Sequence, residues 1–156
     1  MLDEIDCRLL DLLQTNSHIS TKELAHEVNL SQTPVYERVR RLEREGYIKQ
    51  YVALLNAEKL NLGFAVYCHV RLSRQTAKDA HEFIEVIKKV EEVTECYSMS
   101  GSTDYLLKIH APNMAYYRRF VLEVLGNIEA VGSMESHFVM SEVKHTTCLP
   151  LSQLSK

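Results

Sequence analysis

The feature that most constrains the fold is a pair of short helical patterns separated by one asparagine. Ser20 precedes Glu23 by three residues, which is the spacing of a capping box at a helix start. Apolar residues then recur at helical spacing, at Leu24, Ala25 and Val28. We expect this helix to end at Asn29, because asparagine is one of the few non-glycine residues that tolerates a positive φ. A tight turn there would send the chain sideways into the next helix.

The second pattern, residues 31–46, carries four arginines on one short helix. Ser31 is a suitable N-cap with Pro34 in the first turn, and Thr33 as cap with Pro34 at the first helical position is equally permissible. Gly46 ends the helix. The apolar positions expected to face inward are Val35, Val39 and Leu42. The side chains expected to face the other way are Thr33, Glu37, Arg40, Arg41 and Arg44.

Two short helices joined by a tight turn match a helix-turn-helix, whose second helix enters the major groove of DNA. The formal net charge of the chain is -3, yet five of the seven Lys/Arg of residues 1–56 fall between positions 31 and 50. DNA binding needs a positive stripe rather than a positive protein. The local cluster of arginines is therefore compatible with a nucleic-acid interface.

The alternative is a solvated helix face on which Glu37 pairs with Arg41 and Glu43 pairs with Arg40. The capping box, the turn asparagine and the proline each fit the tight packing of a helix-turn-helix, so together they favour DNA binding. The residues expected to contact double-stranded DNA are Ser31, Gln32, Thr33, Pro34, Tyr36, Glu37, Arg38, Arg40, Arg41 and Arg44.

A further helix is expected before this pair, with Asp3 placed to cap it. Acidic residues stand where a signal peptide would need a basic region, and no stretch approaches the roughly 20 apolar residues that span a bilayer. We therefore expect a cytoplasmic protein with no membrane partner. The four cysteines are scattered, which indicates reduced thiols. The HTTC sequence at 145–148 has no second ligand pair beside it, so we expect no metal site.

The second half of the chain alternates between strand and helix patterns. Residues 64–72 place apolar side chains at every second position, and residues 76–90 place them at helical spacing. The remaining expected elements are strands within 92–100 and 104–111, a helix within 113–126 and a strand within 131–144. The order β-α-β-β-α-β is that of a ferredoxin-like domain with an antiparallel sheet, in the α+β class. Both helices cover one face, and another subunit is the economical cover for the other.

The segment between the two halves has strand-like content at residues 47–56, which predicts a short wing. Residues 57–63 serve as the linker. We therefore expect a helix-turn-helix domain with wing and linker over residues 1–61, and a ferredoxin-like domain over residues 62–156.

Neither half contains a catalytic constellation, because a metalloprotease motif, a phosphate-binding loop and a nucleophile elbow are all missing from the sequence. We therefore expect no enzymatic activity. An amino-acid-metabolising domain is one alternative, but it needs an acid–base pair that the sequence does not offer. An RNA-binding domain is another, and the sequence GFAVY at 63–67 is faintly similar to an RNA-recognition strand. That sequence lacks the leading basic residue and lies on the first strand instead of the third.

Three stretches together resemble the Lrp/AsnC (feast/famine) transcription regulators. They are LAHEVNLSQTPVYERVRRLEREGYIKQYVALLN at 24–56, SGSTDYLLKI at 100–109 and VMSEVKHTTCLPL at 139–151. The specific motifs are the arginine-rich helix followed by Gly46, Ile48 and Tyr51, and the turn from Gly101 to Asp104. The resemblance runs from Leu2 to Leu151, and its visible departure is Asn29 in place of the usual glycine.

The resemblance implies an N-terminal DNA-binding domain and a C-terminal effector and oligomerisation domain. Members of the family form homodimers that commonly assemble into octamers, and many respond to an amino acid. Their effector lies between dimers, near the turn joining the second and third strands. The corresponding residues here are Ser100, Gly101, Ser102, Thr103 and Asp104, with Ser136 and His137 facing that turn from the last strand.

This effector assignment makes physical sense for an amino acid. Gly101 would let the backbone approach a ligand, and exposed N–H groups of the turn can hold a carboxylate. Asp104 would take the α-ammonium group. We expect leucine or methionine as the effector and no other cofactor. The alternative from composition alone is a plain hairpin turn.

Overall fold

The computed structural model describes residues 2–151, and these residues form two compact units. The first unit contains residues 2–54 together with residues 144–151, and the second contains residues 55–143. The other positions of the expected domains, Met1 and residues 152–156, lie outside the described residues.

The division between the units differs from the domain limits expected from the sequence. Those limits placed the boundary after residue 61 and assigned the whole C-terminal segment to the second domain. In the structure the boundary falls after Leu54, and the segment that begins at Lys144 belongs with the N-terminal helices. Local hydrophobic periodicity does not indicate which unit a C-terminal segment belongs to, so it could not predict this assignment.

Three helices build the first unit: α1 (Glu4–Thr15), α2 (Thr21–Glu27) and α3 (Gln32–Arg44). The predicted capping box of α2 is confirmed, since the Ser20 hydroxyl accepts from the Glu23 N–H and the Glu23 carboxylate accepts from the Ser20 N–H. Asp3 caps α1 as predicted. Asn29 has a φ of 52°, which confirms the turn between α2 and α3.

Apolar side chains from all three helices meet in one buried cluster. Its buried members are Leu9, Leu13, Leu24, Ala25, Val35 and Leu42. Val28 and Val39 pack against the cluster while partly exposed. Burying each leucine or valine side chain contributes about 1.5–3 kcal/mol. The predicted inward face of α3 is therefore confirmed.

The segment after α3 is held against the helix at its start. Gly46 has a φ of 77°, and the N–H groups of Tyr47 and Ile48 both donate to the Leu42 carbonyl, at 3.0 and 3.3 Å. Residues 49–56, which the structure describes throughout, form no strand, so the strand content expected for a wing is not realised. An isolated strand would leave its backbone groups without partners, which is why composition alone does not produce one.

The second unit has the predicted β-α-β-β-α-β order. Its elements are β1 (Phe64–Leu72), α4 (Ala77–Ile87), β2 (Val93–Ser98), β3 (Tyr105–Ala111), α5 (Met114–Glu123) and β4 (Val131–Phe138), with a 3₁₀ turn at Leu125–Asn127. The four strands lie in the order β2-β3-β1-β4, and all three pairings are antiparallel. The ferredoxin-like prediction is confirmed, although β4 ends at Phe138, six residues before the expected limit of 144.

The core of the second unit lies between one face of the sheet and both helices. Alternate residues of β1 and β3 are fully buried there, among them Val66, Cys68, Val70, Leu107 and Ile109. Phe83 of α4 and Phe120 of α5 pack against them. The opposite face carries the other alternate residues, such as Tyr67 and His69, which remain partly exposed.

The C-terminal segment is attached to α1 by a two-point hydrogen bond. The Gln14 side-chain amide donates to the Leu149 carbonyl at 3.0 Å, and its oxygen accepts from the Leu149 N–H at 2.8 Å. Cys148 Sγ lies 3.5 Å from the Gln14 carbonyl oxygen. The Gln14 side chain therefore pairs with the N–H and the carbonyl of Leu149, as the backbone of a neighbouring strand would.

Within residues 2–151 the structure contains no helix that is long and apolar enough to cross a membrane.

Candidate DNA interface and effector site

The exposed face of α3 begins at its N-terminus. Ser31 occupies the N-cap position, but its hydroxyl accepts no capping hydrogen bond within the described part of the chain. Pro34 is the third helical residue, where a missing N–H removes no intrahelical bond. The structure therefore confirms Ser31 and not Thr33 as the N-cap residue, although without the hydroxyl hydrogen bond, and the first turn presents polar groups to solvent.

Most residues expected at the DNA interface lie on this exposed face. The exposed ones are Ser31, Gln32, Thr33, Tyr36, Glu37, Arg40 and Arg44. Pro34 is partly exposed, and Tyr36 has 54% of its surface exposed. Polar and aromatic side chains at the start of a second helix are what base edges in a major groove can contact.

Two of the arginines expected at this interface turn toward α1. Arg38 Nη1 donates to Asp6 Oδ1 at 2.8 Å and to Asp3 Oδ2 at 2.6 Å. Arg41 Nη2 donates to Asp6 Oδ2. The helical wheel alone placed Arg41 opposite the buried stripe, and the Asp6 contact corrects that expectation. A carboxylate on a separate helix is a partner that helical spacing cannot reveal.

Asp6 is the buried centre of this group, with 1% of its side chain exposed. The contacts with both carboxylates raise the pKa of Arg38, and the Asp6 N–H, together with Arg38, lowers the pKa of Asp3. Arg41 Nε is buried and has no hydrogen-bond partner among the described residues. Asp6 was not among the expected site residues, and its one signal in the sequence is its position three residues after the capping Asp3.

Arg40 remains on the exposed face beside Glu43. Their closest approach is 2.9 Å, and 63% of the Arg40 side chain is exposed. Glu43 also accepts from the Tyr51 hydroxyl at 3.1 Å. Partial desolvation and this hydrogen bond raise the pKa of Tyr51 to about 12. The Arg40–Glu43 pair expected for a solvated face therefore exists, whereas Arg41 pairs with Asp6 instead of Glu37.

The turn between β2 and β3 carries five of the expected effector residues. Ser100, Gly101 and Ser102 are exposed, and Thr103 and Asp104 are partly exposed. Gly101 has a φ of 124°, in the region that favours glycine, and an added Cβ there would meet nothing within 4 Å. The turn backbone is therefore open to a ligand.

The Asp104 carboxylate already has partners inside the chain. Its Oδ2 accepts from the Leu72 N–H at 2.8 Å, and its Oδ1 accepts from the Gln75 side-chain amide at 3.2 Å. Its own N–H donates to the Val70 carbonyl at 3.0 Å. Asp104 therefore fastens the β2–β3 turn to the end of β1. The sequence analysis did not identify Gln75.

Ser136 and His137 lie on opposite faces of β4. Ser136 is level with buried Cys68, and its hydroxyl is 2.6 Å from the Tyr117 hydroxyl on α5. Burial raises the pKa of Tyr117 to about 12, against an opposing contribution from the Ser136 hydrogen bond. The expectation that Ser136 faces the turn is therefore not met, because adjacent residues of a strand alternate between faces.

His137 lies on the open face of the sheet, near the turn. Its ring centroid is 5.1 Å from that of His69 in an edge-on arrangement. His69 Nδ1 is 3.4 Å from the Thr103 hydroxyl. His137 therefore packs beside His69, and His69 contacts Thr103 of the turn. His69 was not among the expected effector residues.

An open cavity of about 300 Å³ adjoins the turn on its α4 side. Its lining includes Asp104, Gln75, Thr76 and Met99. A cavity of this size accommodates a small polar molecule. Among residues 2–151, no group of three or more histidine, cysteine, aspartate or glutamate residues is placed to hold a metal ion.

Comparison with known families matches both units. A model described as the Lrp/AsnC ligand binding domain matches residues 65–149, and one described as a winged helix-turn-helix DNA-binding domain matches residues 2–49. The leucine-responsive regulatory proteins of Klebsiella pneumoniae and of Escherichia coli strain K12 are each 41% identical over 148 residues, which is 95% of this chain and 90% of theirs.

Solved structures show the same similarity. A transcriptional regulator from Neisseria meningitidis, solved as a complex with L-methionine, superposes with a TM-score of 0.95 at 37% identity and covers 99% of both chains. An AsnC family transcriptional regulator from Agrobacterium tumefaciens gives a TM-score of 0.93 at 35% identity, covering 98% of this chain and 99% of its own.

Proposed function

The chain belongs to the Lrp/AsnC family of transcription regulators, and on that premise we propose that α3 contacts operator DNA while the β2–β3 turn binds an amino-acid effector. The observation that carries the DNA proposal is the exposed N-terminal face of α3 on a helix-turn-helix whose turn is fixed by Asn29. Such a regulator needs no catalytic activity. Since its partner is chromosomal DNA, we propose that it acts in the cytoplasm.

The proposed DNA contacts divide by exposure. Gln32, Thr33, Tyr36 and Glu37 lie in the first turns of α3 and are exposed, so they are the candidates for base contacts. The candidates for phosphate contacts are the exposed cations Arg40, Arg44 and Lys49. The hydroxyl of Ser31, at the start of the helix, is a further candidate. Pro34 limits the direction in which the first turn can approach the groove.

We propose that Ser100–Asp104 and His137 form the effector site. Open N–H groups beside Gly101 can bind the α-carboxylate of an amino acid. The Asp104 carboxylate is partly exposed and keeps accepting capacity beyond Leu72 and Gln75, so it can also accept from an α-ammonium. The complex of the Neisseria meningitidis structure with L-methionine and the name of the leucine-responsive relatives support methionine or leucine.

We also propose that the protein is a homodimer that assembles into an octamer, as the family resemblance implies. The open face of the sheet needs a cover, and large apolar residues outside the helices and strands are exposed. Among these are Val52, Leu54, Leu55, Met140 and Val143, which are 59–94% exposed. Exposed apolar side chains in this number are typical of protein–protein contacts.

Identification of the bound DNA tests the function as a whole. Genomic fragments retained by the purified full-length protein would be sequenced, and one retained duplex would be titrated at several salt concentrations with and without leucine or methionine. We expect salt-dependent binding, a sequence with dyad symmetry and a shift in affinity with one of the amino acids. Stronger binding to single-stranded RNA than to any retained duplex would contradict the proposal.

A further inference from the structure

Two of the four arginines of α3 are held by a carboxylate on α1 instead of facing solvent. Arg38 and Arg41 lie three residues apart, so they project from neighbouring positions of the helix. Both donate to Asp6, one to each carboxylate oxygen. Their side chains are only 28% and 35% exposed, whereas that of Arg40 is 63% exposed.

We propose that Asp6 is a positioning residue for DNA binding: it holds Arg38 and Arg41 against α1, which fixes α3 and keeps both guanidinium groups away from DNA phosphates. This inference rests on the proposed function, in which α3 contacts DNA. It revises the expected interface, because it removes two arginines from the set that touches DNA.

The burial of Asp6 makes its partners hard to remove. A carboxylate with 1% of its side chain exposed must keep its ion pairs, since a buried charge without a partner is strongly destabilising. Asp6 also accepts from the Asp3 N–H at 3.1 Å, and the Asp3 carboxylate accepts from Arg38 Nη1 at 2.6 Å. Transfer of Arg38 to a phosphate would therefore take a partner from both capping residues of α1.

The charges within this group also balance. Asp3 and Asp6 supply two negative charges, and Arg38 and Arg41 supply two positive ones, so the group adds no net charge to the protein surface. The cations left to attract phosphates in this region are Arg40, Arg44 and Lys49. Arg40 directly precedes Arg41, so the two arginines form a matched pair for an experiment.

The first experiment compares salt dependence among single variants of the full-length protein on a retained duplex. Arg38→Gln, Arg41→Gln and Arg40→Gln each remove one positive charge and keep a side-chain amide. We expect Arg40→Gln to flatten the slope of log K against log salt by about 0.9 per protomer. Arg38→Gln and Arg41→Gln should leave that slope unchanged. A flattening by about 0.9 in either of those two variants would overturn the inference.

The second experiment uses Asp6→Asn, with Glu27→Gln as its matched control. Glu27 also pairs with an arginine, Arg8, at 3.2 Å, but both side chains are exposed. We expect Asp6→Asn to release Arg41, whereas Arg38 keeps its contact with Asp3 at 2.6 Å, so that the salt slope steepens by about 0.9 per protomer. Its preference for the operator over unrelated duplex should fall by at least about fivefold, while Glu27→Gln should match the wild type.

Each outcome of these experiments has one meaning. An Asp6→Asn protein that folds and keeps the wild-type slope and preference would overturn the inference. If Asp6→Asn does not fold, as circular dichroism would show, the arginine variants decide the question alone. Absence of salt-dependent duplex binding by the wild type would instead refute the proposed function, so the two failures are distinguishable.

Discussion

The Asp104 carboxylate accepts a hydrogen bond from the Leu72 N–H at 2.8 Å, so a candidate effector residue also holds the end of β1. This contact changes what a substitution there should do. Removing the carboxylate would affect both the amino-acid response and the stability of the second unit, and the two effects need separate measurements.

Asp104→Ala should therefore lower the free energy of unfolding by about 1–3 kcal/mol, because the partly buried Leu72 N–H loses its partner. It should also weaken effector binding by about one to two decades if Asp104 holds the α-ammonium group. Urea unfolding and calorimetry with leucine and methionine measure the two effects. Glu123→Ala, at an exposed position on α5, is the control. Unchanged unfolding in Asp104→Ala would show that the Leu72 contact is unimportant.

The turn between α2 and α3 gives a second prediction. Asn29 has a φ of 52°, which glycine adopts freely and a β-branched residue adopts only at considerable cost. Asn29→Gly should change the free energy of unfolding by less than about 1 kcal/mol, whereas Asn29→Val should lower it by about 1–3 kcal/mol. Thermal unfolding compares them. Equal melting temperatures for the two variants would mean that the turn does not depend on this backbone conformation.

Gly101 gives a third prediction, at the effector turn. Its φ of 124° strains any residue with a Cβ, although the space around an added Cβ is open. Gly101→Ala should therefore cost about 1–3 kcal/mol through backbone conformation alone and should shift the turn N–H groups. Calorimetry should then show weaker effector binding while operator affinity without effector stays at the wild-type value. Wild-type effector affinity in this variant would exclude the turn backbone from the site.

Alkaline titration supplies the fourth prediction. Burial raises the pKa of Tyr117 to about 12, so the folded state favours its neutral phenol relative to an unfolded chain with a pKa near 10. The resulting stability is fully present below about pH 10 and is lost as the pH rises toward about 12. Tyr117→Phe should remove this part of the pH dependence. Ultraviolet titration that finds every tyrosine ionising near pH 10 would contradict it.

Local sequence signals predicted much of the fold. The capping residues Ser20 and Glu23 and the turn at Asn29 depend on neighbours within a few positions, and the structure contains all three features. Strand alternation in residues 64–72 likewise predicted which face of β1 is buried. These features succeed because helix caps, turns and strand faces follow from chemistry within one element.

Contacts between side chains of separate helices, strands or loops could not be predicted from local sequence signals. Asp6 contacts Arg41 from a different helix, and Gln75 contacts Asp104 from beyond the end of β1. Ser136 is a different case, because the alternation of strand faces alone separates it from His137. The strand expected within residues 47–56 does not form, because strand-like composition does not supply a pairing partner.

The most direct test of the central claim is the affinity of a retained operator duplex for wild type and Tyr36→Ala, measured by fluorescence anisotropy at one salt concentration. Tyr36 lies on the exposed face of α3 with 54% of its surface exposed, so its truncation spares the core. His18→Ala, exposed in the loop before α2, is the control. We predict that Tyr36→Ala weakens binding about 5- to 150-fold, as expected for the loss of a base contact worth about 1–3 kcal/mol, and that His18→Ala matches the wild type. Wild-type affinity in Tyr36→Ala would contradict the assignment of this face of α3 to DNA.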